Sequence, residues 1–192
     1  MKIEGTVLFL IAAAFLLAGC TTTQSTKARP LKAVYGADAD LRPYHVATVQ
    51  RFEVLEPSLE HPDPGVMLSD RIAQRLANDF GQLFQQVRTG APLLQDNELL
   101  ISGRVTKFKP GSRLGRAFGP GITPASFEAE LILKDAQSGQ PILIAPIDKL
   151  WAWGGGLGAA KGIEDMIEES AAAAANTIAR AKGWQPLEPA RR

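Results

Sequence analysis

Between Tyr44 and Lys182 the hydrophobic period of the chain changes from two to 3.6, back to two and again to 3.6, and that order restricts the fold. Tyr44 to Leu55 is rich in β-branched and aromatic residues (Val46, Thr48, Val49, Phe52, Val54) and reads as a strand. Glu56 to Gly65 holds three prolines and reads as a loop, and Asp63-Pro64 at its end supplies an N-cap and a first-turn proline. Leu68, Ile72, Leu76, Phe80, Leu83, Phe84 and Val87 then recur every three or four residues, with Arg71, Gln74, Arg75, Asn78 and Gln82 on the other face. This spacing predicts an amphipathic helix of about five turns, closed by Gly90-Ala91-Pro92.

The period then drops to two. Leu99, Ile101, Gly103 and Val105 alternate with polar residues, as do Phe127, Ala129, Leu131 and Leu133, which predicts two half-buried strands. Asp135 to Gln140, with Ser138-Gly139, predicts a hairpin turn, and Ile142 to Trp153 returns as the next strand. Pro146 lacks a ladder donor and argues for an edge position or a bulge. From about Ala159 to Lys182, Ile163, Ile167, Ala171, Ala174 and Ile178 form a second helical stripe. Acids crowd its start (Glu164, Asp165, Glu168, Glu169) and bases its end (Arg180, Lys182), matching the helix dipole, and Gly183 fits an αL cap. The expected fold is α+β: a four-stranded mixed sheet with two helices on one face, in the order β-α-β-β-β-α. The helix between the first two strands makes that pair parallel, and the short later connections make the remaining pairs antiparallel.

The amino terminus carries a different signal. Lys2 precedes an apolar run from Val7 to Ala18, shorter than the roughly 20 residues that span a bilayer, and Leu17-Ala18-Gly19-Cys20 follows. The four residues resemble the lipobox of bacterial lipoproteins. The resemblance implies cleavage between Gly19 and Cys20, diacylglycerol on the Cys20 thiol and an acyl chain such as palmitate on the new amine. Several chains at about 0.8 kcal/mol per buried methylene anchor firmly. Thr21 stands where an aspartate would imply inner-membrane retention, so the expected address is the periplasmic face of the outer membrane. Thr21 to Gly36 is polar and low in complexity, which reads as a spacer. The expected organisation is signal peptide 1–19, lipidated cysteine and flexible tether 20–40, α+β domain 41–183 and tail 184–192.

Composition narrows the function classes. Residues 1–19 hold one of the 21 bases and one of the 20 acids, so the mature chain keeps a net charge of +1. It has no broad basic field for nucleic acid. Cys20 is the only cysteine; once acylated it leaves no thiol for a disulfide, a metal or catalysis. His45 and His61 are the only histidines and fall short of the three or four convergent ligands a metal requires. No nucleophile-elbow pattern is present. Neither a cofactor nor a catalytic residue is assigned.

Two glycine-rich segments stand out. The segment 110–121 holds four glycines, two prolines, Arg113, Arg116 and Phe118 between two strands. It has no Gly-Lys-Ser/Thr ending for a nucleotide, and its alternatives are a structural loop or a partner-binding loop carried by Arg113, Arg116 and Phe118. Gly154-x-Gly156-x-x-Ala159 formally fits a dinucleotide fingerprint, but no strand follows the helix to bring an acid to the ribose.

The layout as a whole resembles the bacterial lipoproteins grouped as domain of unknown function 4410. The resemblance is carried by the lipobox and Gly103-Arg-Val-Thr-Lys-Phe-Lys-Pro-Gly-Ser-Arg113. Arg116 to Gly121, Asp135-x-x-Ser-Gly139 and a Gly-Gly stretch before an Ala-rich helix complete it. It covers roughly residues 44–183 and implies no activity. The element order is also similar to that of lipoproteins that activate penicillin-binding proteins or build the curli secretion pore, a likeness of topology alone. The functional expectation is a non-catalytic, lipid-anchored lipoprotein that binds another envelope component, either a protein or a peptidoglycan-associated partner. The alternative is a homo-oligomeric subunit of a ring-shaped envelope assembly of the secretion or motor type.

Overall fold

The computed structural model describes residues 28–56, 62–109, 125–151 and 163–186. The fold is α+β. Its strands are β1 (Val46–Val49), β2 (Glu53–Val54), β3 (Gln86–Thr89), β4 (Glu98–Lys109), β5 (Ala125–Asp135) and β6 (Pro141–Trp151); its helices are α1 (Pro64–Asp79) and α2 (Ile163–Ala181). The sheet runs β3-β1-β4-β5-β6, with β2 also paired to β4. β1 is parallel to both β3 and β4, and β4-β5-β6 form an antiparallel meander. The sheet is therefore mixed, as expected, but has six strands in place of four.

Each added strand has an identifiable cause. The 44–55 strand breaks between β1 and β2. Val49 pairs with Ile101, whereas Glu53 pairs with Arg104, so the first chain advances four residues while β4 advances three. This one-residue bulge turns Phe52 into the core with no exposed surface. The predicted five-turn helix stops at Asp79, with Phe80 as C-cap and a short 3-10 turn over Gly81–Leu83. Glycine is a poor helix former, and Gln86–Thr89 then gains a full parallel ladder to β1. Phe80 and Phe84 still reach the core, so the periodicity identifies buried residues and misses their conformation.

Other expectations hold. The Asp63 carboxylate accepts from the N–H groups of Gly65 (2.8 Å) and Val66 (3.0 Å), with Pro64 in the first turn. Asp135 accepts from the Ser138 N–H at 2.7 Å and hydroxyl at 2.8 Å, and Gly139 takes φ +68° in the β5–β6 turn. β6, with Pro146, is the edge strand. Gly183 has φ +89°, and the Trp184 N–H reaches the Ala179 carbonyl at 2.9 Å to close α2. The start of that helix before Ile163 lies outside the described residues.

Both helices pack on the sheet and against each other, so they share one face. The core between them and the sheet contains Leu68, Ile72 and Leu76 of α1, Ile101, Leu131 and Ile147 of the strands, and Ile167 and Ile178 of α2. At the helix interface Arg75 donates to Glu168 (Nε, 2.6 Å) and to Asp79 (Nη1, 3.2 Å).

Helix α2 is buried on every side from Ser170 to Ala179. Its run Ala171–Ala175 lets the sheet and α1 approach closely, and residues 28–33 cover the remaining side. The Leu31 N–H donates to Thr177 Oγ1 at 2.7 Å, and Asn176 Nδ2 donates to the Ala28 carbonyl. Residues 28–40 read as spacer from composition, yet they form a strap along the domain. The strap continues to the β6 edge, where Tyr35 and Ile144 form an antiparallel bridge. The signal peptide, Cys20 and residues 187–192 lie outside the described residues.

Candidate interaction surface

The sheet face opposite the helices is built by strand alternation. Leu99, Ile101 and Val105 point into the core, so Glu98, Leu100, Ser102 and Arg104 belong to the outer face. Register places Ser102, Ile132, Ile144 and Tyr35 in one row across β4, β5, β6 and the strap. Towards the β4–β5 connection the face becomes charged: Arg104 pairs with Glu130 at 3.1 Å and Lys107 with Glu128 at 2.6 Å.

Over β1 this face is covered by the 90–97 turn. Thr48 and Glu98 have no exposed surface beneath it. The Thr48 hydroxyl donates to Glu98 Oε1 at 2.6 Å, and the Leu93 N–H lies 3.0 Å from each carboxylate oxygen. Burial pushes the Glu98 carboxyl up, but the Thr48 hydroxyl and the N–H groups of Leu93, Gln95 and Leu94 outweigh it and hold the group below its ordinary value. The turn is thus clamped, and Leu93 and Leu94 are left exposed on it. The alternation expected from sequence begins at Leu99, whereas β4 begins at Glu98, the residue that forms the clamp. The available signal is Leu93-Leu94, two large apolar residues in a turn that fit neither neighbouring period.

A cleft of 690 Å³ opens between the strap and the end of α2, lined by Lys32, Asp38, Asp40, Arg42, Thr177 and Arg180 among others. Asp40 accepts from Arg42 Nε at 2.8 Å and Nη2 at 2.7 Å, which lowers its carboxyl to about 2. Lys182 donates to the Arg42 and Tyr44 carbonyls and lies 4.9 Å over the Phe84 ring; burial lowers its pKa. The Thr177 hydroxyl is committed to the Ala173 carbonyl at 2.8 Å as well as to Leu31. These groups hold the strap, and none forms a nucleophile–base pair.

Among the described residues no group of three or more His, Cys, Asp or Glu is placed to hold a metal, and no helix is long and apolar enough to cross a membrane. The backbone N–H of His45 donates to the Asn97 carbonyl at 2.9 Å, and its own carbonyl accepts from Gln85 at 2.8 Å, a strand-end role. Gly19, Cys20, His61, Arg113, Arg116, Phe118 and the 154–159 glycines lie outside the described residues. The structure does fix where the two glycine-rich segments attach. Lys109 pairs with Ser126 and Ala125 with Trp151, so both segments join the same end of the β4-β5-β6 meander.

No family model matches the chain, and no curated protein matches it. Solved structures do. The chain is similar to the PelC dodecamer from Paraburkholderia phytofirmans at 16% identity and a TM-score of 0.52, covering 79% of this chain and 95% of that one. A point variant of the same dodecamer, in a second crystal form, gives the same values. A Xanthomonas campestris protein of the domain of unknown function 330 family is similar over 70% of this chain and 80% of its own, at 11% identity and a TM-score of 0.38. At these identities the likeness to PelC establishes a shared fold.

Proposed function

We propose that this chain is a non-catalytic, lipid-anchored lipoprotein of the periplasmic face of the outer membrane and that it works as a subunit of a ring-shaped homo-oligomer. The observation that carries the proposal is the fold shared with nearly the whole subunit of a dodecamer. Leu93 and Leu94 at one side of the sheet and Val34 and Tyr35 at the other, exposed on clamped backbone, support it. Leu17-Ala18-Gly19-Cys20 supports the anchor, and membership of the domain of unknown function 4410 lipoproteins is part of the same proposal.

Mass measurement of the detergent-solubilised full chain tests the assembly; a monomer at high concentration counts against it. Fractionation tests the anchor. Cys20→Ser should move the protein out of the membrane fraction, and retention there refutes lipidation at Cys20. A second reading, capture of another envelope component by the 110–121 segment, has its own test. If Arg113→Ala with Arg116→Ala leaves partner recovery unchanged, that segment is not the binding loop.

A further inference from the structure

We infer that neighbouring subunits meet head to tail, with the Leu93–Leu94 turn of one copy seated against the Val34–Tyr35 edge of the next; this rests on the ring reading above and supplies its interface. Leu93 and Leu94 are 52% and 62% exposed, and Val34 and Tyr35 are 70% and 53% exposed. Each is an adjacent pair of large apolar side chains directed at solvent, on backbone that the structure holds in place.

The first pair is held by a buried carboxylate. The Leu93 N–H donates to both oxygens of Glu98, the Gln95 N–H reaches Oε2 at 3.4 Å, and Leu94 takes φ +55°. A left-handed backbone on leucine is sterically costly and persists where its surroundings impose it. A turn that only joined β3 to β4 would take glycine or asparagine at that position. Leucine instead places an apolar side chain outward at a fixed spot.

The second pair is held by the β6 edge. The N–H groups of Val34 (2.9 Å) and Tyr35 (3.3 Å) both donate to the Ile144 carbonyl, and the Ile144 N–H returns to the Tyr35 carbonyl at 3.1 Å. Gly36 follows at φ +65°, where a Cβ would lie 1.9 Å from the Ile142 carbonyl oxygen, so no larger residue fits there. Rigid presentation of both pairs lowers the ordering cost of association.

Their placement decides the symmetry. The turn lies over β1, towards the β3 end of the sheet, and the strap lies beyond β6 at the other end. Two different surfaces at opposite ends, each meeting the other, make a heterologous contact, which repeats from subunit to subunit and closes into a ring when the rotation allows.

The test compares the full chain, solubilised in detergent, with L93D/L94D and with V34D/Y35D by light scattering after size exclusion. The wild type should be a multi-subunit species. Each variant should be a monomer that keeps its circular dichroism and thermal transition. An equimolar mixture of the two should form a 1:1 heterodimer and nothing larger, since each variant contributes one intact face. Should either aspartate pair unfold the chain, L93S/L94G and V34S/Y35S take their places. Wild-type assembly that survives in both variants places the interface elsewhere and leaves the ring reading standing. A monomeric wild type overturns both. Variants that dissociate but whose mixture stays monomeric overturn the head-to-tail contact alone.

Discussion

The ring of Phe52 fills the space a side chain at Gly103 would need. A Cβ on Gly103 would lie 2.4 Å from the Phe52 Cε1 and 2.0 Å from the Glu130 carbonyl oxygen. Gly103→Ala is expected to destabilise the domain by about 3 kcal/mol, at the upper end of ordinary overpacking. Phe52→Ala alone is expected to cost about 3–5 kcal/mol. In the double variant the two costs should fall short of their sum, because the ring contact is removed once, while the clash with the Glu130 carbonyl remains. Urea denaturation of the three variants checks this; strict additivity contradicts it.

Glu98→Gln is expected to cost about 1–3 kcal/mol, since an amide cannot accept from the Thr48 hydroxyl and the Leu93 and Gln95 N–H groups together. The pH dependence has a definite sign. The folded carboxyl titrates below its ordinary value of 4.5. Its contribution is therefore complete above that value and is lost as pH falls through the lower folded value. Wild-type stability should drop on acidification more than that of the glutamine variant. Parallel curves down to about pH 3 would contradict the clamp, since the difference develops below the ordinary carboxyl value.

Arg75 bridges the helices, and its removal strands an acid. The Asp79 side chain is 2% exposed, and its carboxylate accepts from Arg75. Arg75→Ala should cost about 1–3 kcal/mol, whereas Arg71→Ala, whose contact to Glu168 is 3.4 Å and more exposed, should cost under about 1 kcal/mol. Thermal melts of the two variants would disprove this ranking if their losses were equal.

The strap offers a fourth test. Thr177→Val removes the acceptor for the Leu31 N–H and should cost about 1 kcal/mol. Limited trypsin digestion at Lys32 should accelerate while the rest of the domain stays resistant. Unchanged cleavage at that bond would show that Thr177 does not hold the strap.

The elements with a strong period of their own were legible from sequence: α1 from Asp63 onward, the three long antiparallel strands, the Asp135–Gly139 turn and the Gly183 cap. What was missed depends on partners distant in the chain. Gln86–Thr89 has helical spacing with the residues before it and becomes a strand because β1 lies open beside it. The bulge at Phe52 exists because Gly103, far along the chain, leaves room for a ring. Residues 28–40 look like linker by composition because backbone N–H and carbonyl groups, which composition does not record, supply much of their attachment. Of the surface itself, Leu93-Leu94 fits neither neighbouring period and goes unread in the sequence, and the buried Glu98 beneath it gives no signal.

Ala28 is bonded to the domain through Asn176, and from residue 20 to residue 28 is eight chain steps. Fully extended, eight steps reach about 28 Å, roughly the width of a small domain. With acyl chains on Cys20, that leash would keep every copy within about one domain width of the bilayer. Encounters between copies would then become two-dimensional, among neighbours held in one shallow layer. Under that confinement the proposed contact would act at a raised effective concentration, which favours ordered assembly in the plane over free subunits.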